Sequence, residues 1–84
     1  MVDVTIYTRK MCGYCLAAKR LLADKGAMFN EIDATFSPKK RTEMMTRSGR
    51  YTFPQIFIGE RHVGGYDEFR SLDNAGQLDP ILAG

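Results

Sequence analysis

Soft metal ligands are scarce in this 84-residue sequence, which has two cysteines, Cys12 and Cys15, and one histidine, His62. A structural zinc site takes four protein ligands, and no second ligand pair is visible, so no metal site is expected within one chain. Two cysteines are too few for a disulfide framework. A bridge between positions 12 and 15 would close a very small ring and remove little unfolded-chain entropy. No apolar run approaches the roughly 20 residues of a membrane span. Charge of one sign is lacking too: 12 basic residues against 10 acidic leave a net +2, too mild a balance to argue for nucleic acid. The opening MVDVTIYTRK has no apolar core of the kind a secretory signal carries, which makes a cytoplasmic home the expectation. In a reducing cytosol a close cysteine pair is more often catalytic or metal-binding than structural. With zinc and staple both disfavoured, redox use of the pair leads.

What is present suffices for one small domain over residues 1–84. The hydrophobic share of 44% is ordinary for a globular chain, and the core that so short a chain can bury is modest. Residues 2–8, VDVTIYT, alternate, with Val2, Val4 and Ile6 on one face and Asp3, Thr5 and Tyr7 on the other, a strand signal. From Tyr14 to Lys25 the period changes: Ala18, Leu21 and Leu22 share a helical face, and Gly26 is a natural stop. AMFNEID, residues 27–33, reads as a second strand. Such a strand–helix–strand unit closes right-handed with parallel strands.

Ser37 followed by Pro38 opens a second helix that Gly49 ends. PQIFI and HVGG read as strands joined by a tight turn at Gly59 and Glu60. A third helix is expected from about Asp67 to Ala75, with Phe69 and Leu72 inward, and Asp79 and Pro80 start a last short helical turn. The order β-α-β-α-β-β-α predicts an α/β fold, a four-stranded mixed sheet flanked by helices. A cysteine pair before the first helix of a βαβ unit reads as a thioredoxin-like redox motif.

Three motifs coincide: CGYC at 12–15, TFP at 52–54 and GGYDE at 64–68. Together, at these separations, the chain resembles the glutaredoxins, small glutathione-dependent thiol–disulfide oxidoreductases, over essentially its whole length. Thioredoxin fits less well, because no tryptophan stands beside the pair and a tyrosine lies inside it. Gly13 departs from the proline usual in dithiol members and loosens the loop. It is also similar to the Cys-Gly-Phe-Ser motif of monothiol members, some of which share a [2Fe–2S] cluster between two subunits with glutathione. Phe53 is a smaller departure, from valine.

An attacking cysteine works as the thiolate and needs a depressed pKa. Cys12, expected at a helix N-terminus with unpaired N–H groups, is placed for that role. Cys15, one turn on and deeper, is the expected resolving thiol. Arg9 and Lys10 lie just upstream, and the resemblance places a basic residue at Arg9. It also implies that Tyr14 lies against bound glutathione, that Pro54 is cis and faces the pair, and that Arg41 meets the glycyl carboxylate. With Pro54 cis, the Phe53 backbone is free to pair with an extended peptide, supported by Thr52. Gly64 and Gly65 allow close approach, and the helix begun by Tyr66, Asp67 and Glu68 favours a carboxylate at its N–H groups. Asp67 is expected both to cap that helix and to bind an ammonium. Arg50 is a further basic candidate, Met44 and Met45 read as core and surface packing, and His62 as structural.

The resemblance implies a monomeric enzyme that reduces glutathione–protein mixed disulfides and some protein disulfides, with glutathione as co-substrate. Its partners are glutathione and glutathionylated or disulfide-containing proteins, without nucleic acid or membrane. One alternative is a dimer holding a [2Fe–2S] cluster through Cys12 and glutathione, which Cys15 disfavours by competing for Cys12. Another is a redoxin served by thioredoxin reductase.

Overall fold

The computed structural model describes residues 2–84. Strand β1, Val4–Thr8, leads into helix α1, Gly13–Asp24; β2, Asn30–Asp33, follows, then α2, Pro38–Ser48. Strands β3, Gln55–Ile58, and β4, Arg61–Gly64, form a hairpin, and α3, Tyr66–Asn74, and the short α4, Leu78–Ala83, complete the chain. The sheet order is β2-β1-β3-β4. β1 pairs parallel with β2 and antiparallel with β3, and β3 pairs antiparallel with β4. The four-stranded mixed sheet is therefore present as read from the sequence.

Local chemistry sets the helix ends. Ser37 Oγ accepts the Lys40 N–H at 3.2 Å, with Pro38 opening α2. At the other end Gly49 sits at φ 70°, and its N–H reaches the Met45 carbonyl at 2.8 Å. A left-handed residue there costs glycine little. Helix α1 closes with the Ala27 N–H on the Leu22 carbonyl at 3.0 Å. That bond keeps Ala27 in the helix cap, so β2 begins only at Asn30, opposite Thr5, and not at residue 27. Val2 and Asp3 likewise precede β1.

The sheet is covered on both faces. On one face Val4, Ile6, Ile56 and Ile58 pack against Ala18 and Leu22 of α1, Phe69 of α3 and Leu78 and Leu82 of α4. On the other, Tyr7 and Phe57 pack against Met44 of α2, with Ile32 and Phe53 at the margin. Tyr7, on the face opposite Val4 and Ile6, is fully buried as well. Its ring meets Phe57 edge-on with centroids 5.9 Å apart, and its hydroxyl accepts from Arg47 Nη1 at 2.9 Å. The period-2 pattern was legible; that α2 would cover the second face was not, because its one buried residue, Met44, leaves no apolar stripe in the sequence.

Candidate active site

Everything that brings the three motifs together lies at one end of the sheet. β1 ends at Thr8, and the chain turns through Met11, which holds φ 58° and is 96% exposed, to place Cys12 at the N-cap of α1. Cys12 Sγ accepts the Cys15 backbone N–H at 3.2 Å and lies 3.9 Å from the Phe53 carbonyl, to which its S–H donates. A backbone N–H and a helix N-terminus both favour negative charge on an acceptor. Cys12 is partly exposed, Cys15 is buried, and both are reduced.

Cys15 is held as the neutral thiol. Burial first, then its contact with Cys12, pushes its pKa up to about 12, while a backbone contact with Arg9 acts the other way and is outweighed. The division between an accessible and a buried thiol is thus a matter of depth in the helix.

The Phe53–Pro54 peptide bond is cis, and Pro54 itself is buried. Beside it opens a cleft of about 160 Å³, lined by Tyr14, Arg50, Thr52, Phe53, Pro54, Gly65, Tyr66, Asp67 and Glu68. Tyr14 and Tyr66 stack with centroids 5.8 Å apart and form one wall. Eight of the expected binding residues meet there. Arg9 and Arg41 do not. Arg9 lines a separate recess with Lys10, Met11, Lys19 and the two cysteines. The Arg41 guanidinium binds the carbonyls of Ala34 and Thr35 at 3.0 and 2.8 Å, tying down the β2–α2 loop.

Asp67 is exposed at the second position of α3 and makes no capping bond, contrary to the expectation. The helix starts one residue earlier than the sequence suggested, with Gly65 as N-cap, so Glu68 is the acid in reach of the cap. Its Oε1 accepts the Gly65 N–H at 2.7 Å and also pairs with Arg50 Nη1 at 2.7 Å. Those two donors, Arg50 first, hold the Glu68 carboxyl below its usual range. Gly64 has φ 120°, and a Cβ there would run into the Glu68 carboxylate. With Glu68 drawn to Gly65, the N–H groups of Tyr66 and Asp67 remain without intrahelical acceptors, at the edge of the cleft. Arg50, a minor candidate in the sequence, is thus in the cleft wall; its position just after the Gly49 cap was the available signal.

A reduced cysteine pair at a helix N-terminus, facing a cis-proline loop across the end of a four-stranded sheet, defines a thioredoxin-like thiol–disulfide redox domain. The Glutaredoxin family model matches residues 4–63. Glutaredoxin 3 of Escherichia coli (strain K12) is 50% identical over 82 residues, covering 98% of this chain and 99% of its own. The solution structure of glutaredoxin from Brucella melitensis is 62% identical and superposes with a TM-score of 0.86, over 98% of this chain and 89% of that one. A buckwheat glutaredoxin–glutathione complex, 28% identical, has a TM-score of 0.87 over 95% of this chain and 76% of that one. The chain belongs to the glutaredoxin family, and its activity is that family's thiol oxidoreduction.

Proposed function

We propose that this chain reduces glutathione–protein mixed disulfides, and some protein disulfides, through Cys12-Gly13-Tyr14-Cys15 with glutathione as electron donor. The carrying observation is that the cleft, whose Phe53 carbonyl lies 3.9 Å from Cys12 Sγ, offers the Phe53 backbone, free helix N–H groups at Tyr66 and Asp67, and the Asp67 carboxylate. Those three match, in order, the backbone, the α-carboxylate and the ammonium of the γ-glutamyl tripeptide. The glutathione held by the buckwheat relative supports the same ligand here. Arg9 and Arg41 lie outside the cleft, and Arg50 is the cation within it.

The Cys12 thiolate attacks the glutathionyl sulfur. The substrate S–S bond breaks, the protein thiolate leaves and takes a proton, and Cys12 becomes disulfide-bonded to glutathione. A second glutathione thiolate then attacks that bond, releasing oxidised glutathione and the Cys12 thiolate. With a protein disulfide, Cys15 resolves instead and closes the Cys12–Cys15 bridge. Once Cys12 is in a mixed disulfide it carries no charge and accepts less strongly. Two of the influences that keep Cys15 protonated then fall away, which readies it when it is needed.

One chain completes this cycle, so we assign a monomer working in the cytosol, where glutathione is abundant. Among the described residues no helix is long and apolar enough to cross a membrane. Nor do three or more His, Cys, Asp or Glu side chains gather there as metal ligands. A [2Fe–2S] cluster would instead draw on Cys12 of two chains and on glutathione thiols.

The test is steady-state reduction of a glutathionylated peptide by glutathione, coupled to glutathione reductase, for the wild type and Cys12→Ser. Activity that vanishes with Cys12 supports the reading. An inactive wild type overturns it.

A further inference from the structure

Gln55 is one of two buried polar or charged residues among those described, with no exposed surface, and it stands directly behind the cleft wall. Its Nε2 donates to the Thr52 carbonyl at 3.0 Å and to Thr52 Oγ1 at 3.1 Å. Its Oε1 lies 2.7 Å from His62 Nε2. The chemistry of these partners fixes every proton in the chain of bonds. A carbonyl only accepts, so the Gln55 NH₂ must face Thr52 and its oxygen must face His62. An amide oxygen only accepts in turn, so His62 must carry its proton on Nε2. Thr52 Oγ1, already accepting from Gln55, is left with its own O–H free to donate, and Thr52 lines the cleft.

His62 is itself held in place. It sits opposite Phe57 in the β3–β4 ladder, with ring centroids 4.9 Å apart. The Arg47 guanidinium lies 4.2 Å from the Phe57 ring centroid. Burial first, then the Arg50 charge, lowers the His62 pKa below 6.5 and keeps the ring neutral near pH 7.

We propose that His62 and Gln55 are positioning residues that orient Thr52 as a hydrogen-bond donor toward a carbonyl or carboxylate oxygen of the bound tripeptide. Neither touches the ligand; both act through Thr52. The proposal rests on the glutathione reading above. It explains why a fully buried amide and the lone histidine are spent on one exposed threonine.

The experiment compares wild type, Gln55→Leu, His62→Phe and His62→Gln. His62→Phe keeps a ring against Phe57 but removes the donor; His62→Gln restores an N–H. Each is assayed with a glutathionylated peptide, and separately for the rate at which iodoacetamide alkylates Cys12, a reaction that needs no cleft. Loss of one buried hydrogen bond should raise KM about fivefold. We expect that rise in Gln55→Leu and His62→Phe, with kcat and the alkylation rate unchanged, and recovery in His62→Gln. If Gln55→Leu fails to fold, the two His62 variants carry the comparison. Because His62 is the only histidine, ¹⁵N NMR reads its tautomer without assignment, and Nε2–H is expected. An Nδ1–H tautomer, or an unchanged KM in His62→Phe, overturns the proposal. An inactive wild type instead overturns the glutathione reading itself.

Discussion

The backbone N–H of Cys15 points at the sulfur of Cys12 from 3.2 Å, while the Cys15 side chain is buried behind it. In the proposed cycle one residue therefore plays two separable parts: its main chain supports the nucleophile, and its thiol waits to resolve. Cys15→Ser removes only the second part. It should retain most turnover of glutathionylated peptide, whereas Cys12→Ser should fall to background. Equal inactivity of the two variants would show that the mixed-disulfide cycle needs both thiols.

The same asymmetry predicts selective labelling. With its pKa pushed up to about 12, Cys15 is a neutral, buried thiol at pH 7 and a poor nucleophile. Brief treatment of the reduced protein with iodoacetamide should give a single adduct, located on Cys12 by peptide mass spectrometry. Cys15 should react only after denaturation. Comparable labelling of both would contradict the burial described here.

Asp67 is exposed at the start of α3 and makes no bond that holds the helix. Its replacement should cost binding rather than stability. Asp67→Ala is expected to raise KM for glutathionylated substrates about tenfold, the scale of one lost charge-assisted hydrogen bond, with the melting temperature within a degree or two of wild type. An unchanged KM would move the ammonium site elsewhere.

Glu68 should behave in the opposite way. It caps Gly65 and pairs with Arg50, so Glu68→Ala should destabilise the fold by about 1 kcal/mol, the scale of a capping bond. The exposed ion pair adds little to that figure. Its folded-state pKa lies below its ordinary 4.5, so the unfolded chain takes up a proton first as pH falls. The stabilisation is present above about pH 4.5 and is lost as the pH drops through the folded value. Urea titrations of wild type and Glu68→Ala should accordingly differ at pH 7 and converge toward pH 3. A gap that stays constant with pH would remove the carboxylate from the account.

Tyr7 and Arg47 form a pair that joins β1 to α2, bonded at 2.9 Å with the guanidinium also 5.7 Å from the tyrosine ring centroid. Tyr7→Phe keeps the packing and removes the bond, for an expected loss of about 1 kcal/mol. Adding Arg47→Ala to Tyr7→Phe should cost less than the two single changes summed, since both break the same contact. Strict additivity in urea midpoints would show that the bond contributes nothing.

Periodicity and capping chemistry made the element order readable from the chain alone. The alternation of Val4 and Ile6, the Ser37–Pro38 start and the Gly49 stop are short-range signals, set by a few neighbouring residues. The cysteine pair, the TFP segment and the GGYDE segment were legible together through their resemblance to the glutaredoxins. What those local signals do not contain is depth and partnership. The alternation put Tyr7 on the second face of β1 but did not show that α2 covers that face through Met44. Asp67 looked like the cap until the helix began at Tyr66 and brought Glu68 into reach. Arg41, on a basic run, turned out to be bonded to the β2–α2 loop, while Arg50 entered the cleft. Gln55 and His62 carried no signal at all, because their bond depends on the β3–β4 ladder and on which side of it Thr52 lies. Which groups exist and which backbone elements carry them follow from the chain alone, through contacts a few residues apart. Which thiol is accessible, which acid caps and which cation faces the cleft depend instead on burial and on neighbours brought together from distant parts of the chain.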